Sequence, residues 1–131
     1  MSIELLLPIT AHVGLAAALY GLLTLARAPA VWGVGHRADG SDPWAILEPR
    51  ISANLSNQFE WPLFFHVACV ILLRTEPGAL AIGLAWAFVA GRLLHSGVQI
   101  LTNHVRLRGL VFMINFLAVI GLWLVVLTRV N

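Results

Sequence analysis

Lysine is absent from the 131-residue chain, and all eight basic residues are arginine. Acidic residues number six, and charged residues of every kind make up 11% of the sequence, against about 25% in a soluble domain. This scarcity excludes a soluble globular enzyme, a disordered tail and a nucleic-acid binder with a basic face. A single cysteine, Cys69, excludes a disulfide framework and any cysteine-based metal site. What fills the chain instead is apolar. Hydrophobic residues reach 60% and mean hydropathy is +0.88, the composition of an integral membrane protein. A basic set made only of arginine favours a forked, permanently charged donor that suits carboxylates and phosphates.

A bilayer core of about 30 Å needs about 20 helical residues. The uncharged stretch 5–26 meets that length and lacks the basic start and cleavage site of a signal peptide, so it is read as a permanent helix. The stretch 110–128 nearly meets it. The two middle stretches do not. Only residues 61–73 lie between Glu60 and Arg74, and only 77–91 between Glu76 and Arg92. Each gives about 20 Å of helix. The second span is closed by Arg74, Glu76 and Pro77 and can lengthen only backwards, through Glu60, Asn57 and Asn54. The third can lengthen only forwards, through Arg92, His95, Gln99 and Asn103. Both extensions draw polar side chains into the same leaflet. The expected architecture is an all-α, four-helix transmembrane bundle forming one domain over 1–131, with helices at about 3–28, 50–74, 78–104 and 108–129. The arginine distribution places the first and third loops, which hold Arg27, Arg37, Arg50, Arg106 and Arg108, on the cytoplasmic side and both termini outside.

Along the third span, Arg92, His95, Gln99, Asn103 and Arg106 recur every three or four residues and fall on one helical stripe. Ala53, Asn57, Glu60 and Phe64 form a second stripe on the preceding helix, with Arg50 and Asn54 beside it. Glu60 and Arg92 lie at similar depths, where an isolated charge costs at least ~2.5 kcal/mol. They are expected to pair, directly or through a ligand. Buried charges can serve only to fix helix register, but some eight polar residues converging in one leaflet favour a ligand site or water-filled cavity. His12 and His66 read as hydrogen-bonded helix contacts, Cys69 as a packing residue, and Asn115 as a polar contact between helices. His95 and His104 are too far apart in sequence for a metal pair on one face, and no metal site is expected.

The run Arg50-Ile-Ser-Ala-Asn-Leu-Ser-Asn57-Gln-Phe-Glu60-Trp-Pro62 resembles the Asn-x-x-Glu signature of the MAPEG family, the membrane-associated proteins of eicosanoid and glutathione metabolism. Gly91-Arg92-Leu-Leu-His95-Ser96, then Leu101-Thr-Asn103, Val105-Arg106 and Val111-Phe112, is similar to the third and fourth helices of the small bacterial branch. The resemblance implies a homotrimer in a bacterial inner membrane, with glutathione bound between subunits near the cytoplasmic face. It assigns Arg50, Asn57, Glu60 and Arg92 to binding glutathione. It makes Arg106 the stabiliser of the thiolate and leaves His95 as a hydrogen-bond donor or proton carrier. Three positions depart from the glutathione-using pattern. Ala53 stands where a further Arg is found, Gln99 where a Tyr is found, and Trp61 at the aromatic after the Glu.

The function implied is a glutathione-dependent transferase or peroxidase acting on lipophilic electrophiles or lipid hydroperoxides. The alternatives are a non-enzymatic membrane protein holding a lipid or anionic metabolite in an intersubunit cavity, and a structural subunit whose buried charges specify packing.

Overall fold

The computed structural model describes residues 3–129 and is all-helical, with no strand among the described residues. A short 3₁₀ turn, Ile3–Leu5, leads into α1 (Leu6–Trp32). The chain continues through α2 (Leu47–Asn57), α3 (Pro62–Leu72), α4 (Ala79–Leu101) and α5 (Val105–Arg129). The stretch Ile3–Trp32 and helices α4 and α5 are long and apolar enough to cross a membrane.

The proline positions account for several boundaries. Pro8, Pro49 and Pro62 each lie in the first turn of a helix, where the missing N–H has no intrahelical partner to lose. Gly33 ends α1 in the left-handed conformation (φ 67°), its N–H donating to the Pro29 carbonyl at 3.1 Å. In the following loop the Asp39 carboxylate accepts from the Ser41 hydroxyl and backbone N–H, which hold it below the usual carboxylate range.

The expected second helix over 50–74 is corrected in two ways. It begins earlier, at Leu47, and it is broken between Asn57 and Pro62. Pro62 has no N–H to give the Gln58 carbonyl, and its ring would collide with it in a continuous helix. The chain crosses the break in tight turns, with Gln58 N–H to Leu55 O at 3.0 Å and Leu63 N–H to Glu60 O at 3.2 Å. α2 and α3 are therefore two short helices, each about 16 Å long, and Glu60 lies in the joint rather than on a helical stripe.

The third and fourth helices also differ from expectation. α4 stops at Leu101 and α5 starts at Val105. Thr102 is extended (φ −131°), its hydroxyl donates to Val98 O at 2.7 Å, and it accepts the His104 N–H at 3.3 Å. That one side chain ends one helix and organises the start of the next. Asn103 thus sits in a link, and Arg106 belongs to the first turn of α5, so the five-residue stripe is split.

Two apolar clusters flank a polar layer. One joins Leu5, Phe65, Cys69, Leu72, Ala85, Phe88 and Leu122, from the N-terminal 3₁₀ turn, α3, α4 and α5. The other joins Leu19, Leu23, Ile51, Leu55 and Ile100, from α1, α2 and α4. In a membrane these clusters hold by close packing, since lipid offers equally apolar surroundings. α4 and α5 approach closely at small residues. A β-carbon on Gly121 would lie 3.0 Å from Leu84 Cδ1, and one on Gly91 would collide with Asn115 Oδ1. Cys69 is a packing residue of the first cluster, as its apolar neighbours suggested.

Candidate functional site

The break before Pro62 sets the polar layer. It turns the Gln58 side chain inwards, where the amide is buried and meets α1 and α4. Gln58 Oε1 accepts from Arg92 Nε at 3.2 Å and lies 2.9 Å from His12 Nε2. Gln58 Nε2 donates to Asn54 Oδ1 at 3.1 Å and Ser96 Oγ at 3.3 Å. His12 Nδ1 in turn lies 2.9 Å from His66 Nε2. Asn54 and Asn57 both donate to Gln99 Oε1, at 2.9 and 3.2 Å. His12 and His66 are hydrogen-bonded helix contacts, as expected, and Gln58, which carries no signal in the sequence, joins them to Arg92.

Arg92 is 1% exposed, and its Nη2 is buried without a hydrogen-bond partner. The expected direct pair with Glu60 does not form. Glu60 is exposed in the joint, and the Arg92 Nε–H is taken by the Gln58 amide instead. The two residues nevertheless line one cavity of about 130 Å³, together with Asn57, Trp61, His95 and Phe112. His95 is buried, with Nδ1 unpartnered, and its ring faces Phe112 at 6.0 Å between centroids. Trp61 stacks on Phe116 at 5.0 Å and donates to the Asn115 carbonyl at 3.4 Å. The Asn115 amide itself makes no hydrogen bond, contrary to its expected role, and packs against Gly91.

A second cavity of about 250 Å³ lies one helical turn further along the same groove. Its lining includes Arg50, Ala53, Gln99, Asn103, His104 and Arg108. Ala53 precedes Asn57 by a turn and Gln99 follows His95 by a turn, so the Asn57–Gln99 hydrogen bond separates the two spaces. Arg50 is anchored by Nη1 to Ile100 O at 3.3 Å and by Nη2 to Asn103 Oδ1. The structure thus gathers Arg50, Asn57, Glu60, Arg92 and His95 along one groove between α2 and α4. It does not bring Arg106 there, which is exposed and lines neither cavity. Arg108, absent from the sequence-based site, does line it. The signal for Arg108 was hidden by the expected helix boundary, which set it at the edge of a loop.

The second cavity also borders the start of α5, whose first turn carries two arginines and no acidic residue. Cations are unfavourable at a helix N-terminus, and an anion offsets both them and the dipole. A third, apolar cavity of about 420 Å³ opens on another part of the surface, between α1 and the α2–α3 joint, with His12 and His66 among its lining. Among the described residues no group of His, Cys, Asp and Glu that could hold a metal ion comes together.

Long apolar helices around a buried, cation-bearing polar groove define an integral membrane protein. The chain belongs to the MAPEG family, whose pattern it matches over residues 5–128. No match was found among curated proteins, and none among solved structures.

Proposed function

We propose that the protein is a glutathione-dependent membrane transferase or peroxidase acting on lipophilic electrophiles or lipid hydroperoxides, and that it works as a homotrimer in a bacterial inner membrane. The observation that carries this reading is the buried Arg92 guanidinium, whose unpartnered Nη2 belongs to a residue lining a cavity inside a membrane bundle. A cation so placed favours an anionic partner, and a thiolate is one.

The residues suit an elongated anionic thiol. Arg50 and Arg108 offer guanidinium groups to carboxylates at the wide end, and Asn57 and Glu60 offer acceptors to an ammonium group. At the narrow end Arg92 takes the thiolate role that the family pattern gave to Arg106. A thiol of pKa about 8.5 is mostly protonated at neutral pH, and a fixed cation in a dry site shifts it towards the nucleophilic form. Glutathione supplies the sulfur nucleophile, which displaces a leaving group from carbon or attacks a peroxide oxygen. His95, buried beside Arg92, is placed to give a proton to the departing oxygen. Both cavities of the groove, about 250 and 130 Å³, are smaller than the ~300 Å³ or more of typical ligand pockets, which supports completion of the site by a neighbouring subunit.

The test is conjugation of glutathione to a chlorodinitrobenzene-type acceptor, and reduction of a lipid hydroperoxide, by detergent-solubilised protein. Turnover is expected, and Arg92→Met is expected to lower it by ~10²–10³-fold, as for loss of an oxyanion-type donor. The same variant is expected to match or exceed the parent in thermal stability, because it removes a buried charge and leaves a hydrophobic side chain. Absence of both activities and of glutathione protection against heating refutes the reading. A stability loss in Arg92→Met without an activity change favours a purely structural charge.

A further inference from the structure

We infer that Gln58 is a positioning residue for Arg92, and that His12, held by His66, fixes Gln58 in turn. The inference rests on the reading that Arg92 meets the anionic group of the ligand. It adds the means by which that guanidinium is aimed.

Arginine Nε can only donate. The atom of Gln58 facing it at 3.2 Å must therefore be the carbonyl oxygen. The amide nitrogen then faces the Asn54 backbone carbonyl at 3.3 Å and Asn54 Oδ1 at 3.1 Å, both of which can accept. Reversing the amide would face donor with donor at Arg92 and acceptor with acceptor at Asn54. Because Gln58 Oε1 accepts, His12 must carry a proton on Nε2, 2.9 Å away. A neutral His12 then has an accepting Nδ1, which takes the proton of His66 Nε2 at 2.9 Å. One arrangement of hydrogens satisfies the whole sequence from His66 to Arg92.

Packing holds that arrangement in place. Gln58 is 3% exposed and His12 is 2% exposed. The His12 ring packs beside the stacked pair Phe65 and Phe88, at 6.1 and 5.4 Å between centroids. Because Nε, Nη1 and Nη2 share a rigid plane, fixing Nε fixes the directions in which the remaining N–H groups point. The group that accepts the Arg92 Nε–H is a neutral amide and not a carboxylate. An amide orients the guanidinium and leaves its full charge for the ligand; a carboxylate would neutralise it.

The experiment uses iodide, an anion that quenches tryptophan, because Trp61 lines the cavity beside Arg92. The Trp61 contribution is the difference between the full chain and its Trp61→Phe counterpart, and neutral acrylamide serves as the control quencher. Gln58→Leu and His12→Phe are each compared with the parent, and a phenyl ring suits the aromatic surroundings of His12. Both are expected to lose the iodide-specific quenching of Trp61 while acrylamide quenching and helical circular dichroism persist. In turnover, Gln58→Leu is expected to lower kcat/KM for glutathione about tenfold or more, within the range of up to ~100-fold set by misplacing a reacting group. The KM for the lipophilic acceptor is expected to stay unchanged. Iodide quenching at the parental level in both variants overturns the inference, whether or not the protein uses glutathione. An effect of Gln58→Leu without one of His12→Phe overturns the role of His12. If Gln58→Leu does not fold, His12→Phe alone decides. A parent that turns over no thiol refutes the proposed function and leaves the quenching test standing.

Discussion

Gly91 shows how closely the site depends on a single atom. It precedes Arg92 on α4, and a β-carbon there would collide with Asn115 Oδ1 and lie 3.0 Å from Ile114 Cγ2. The glycine Cα–H thus faces an amide oxygen that has no N–H or O–H partner, a contact of the weak kind found between close helices. Gly91→Ala is expected to push α5 away from α4 and to cost about 1–3 kcal/mol, as overpacking usually does. Thermal unfolding in detergent measures it. The double variant Gly91→Ala, Asn115→Ala is expected to recover part of the loss. That Arg92 and Asn57 come together on one cavity was legible from the sequence, because polar types at those depths need partners. Gln58 was not, since a glutamine beside Asn57 gives no sign of which way its amide turns.

At the scale of the element, the joint between α2 and α3 is what turns a row of residues into a site. A continuous helix over 50–74 would carry Gln58 and Glu60 about 200° apart. The break instead leaves Gln58 buried against α1 and α4 while Glu60 reaches the cavity edge. Pro62→Ala restores the N–H and removes the ring clash, so the helix is expected to close across the joint. Far-ultraviolet circular dichroism would then rise by about one helical turn, and glutathione turnover would fall as Gln58 rotates away from Arg92. A spectrum identical to the parent would show that packing of α2 and α3, rather than Pro62, holds the break. The Thr102 junction acts in the same way at the other end of the groove. By ending α4 it moves Arg108 to the cavity and leaves Arg106 outside it.

For the whole molecule, the bundle leaves large apolar side chains exposed on every long helix, among them Leu25 on α1, Leu94 on α4 and Leu124 on α5. A bilayer accommodates such a surface. Orientation is testable because the native thiol is silent: Cys69 is wholly buried. Cysteines introduced at Ser41 and at Glu76 lie in opposite connecting segments. With the first loop cytoplasmic, an impermeant maleimide applied outside intact cells is expected to label Glu76→Cys and spare Ser41→Cys. The reverse pattern would invert the topology and place the polar groove in the other leaflet.

The sequence by itself determined that this chain lives in a membrane, that it is helical, and that two of its spans are too short to cross without drawing polar residues in. These follow from local quantities, namely hydropathy, rise per residue and the scarcity of charge. Family membership was legible too, because Asn57, Glu60, Arg92 and His95 fall at fixed spacings. Tertiary structure decided which of the polar residues meet. Arg92 pairs with an amide rather than with Glu60, and Arg108 replaces Arg106 at the groove. Those outcomes depend on where a proline breaks one helix and a threonine ends another. They also depend on which donors and acceptors remain once His12, from a helix distant in sequence, has packed against them. Spacing along a chain fixes the face a residue occupies only while the helix continues, and here the helices stop where the chemistry begins.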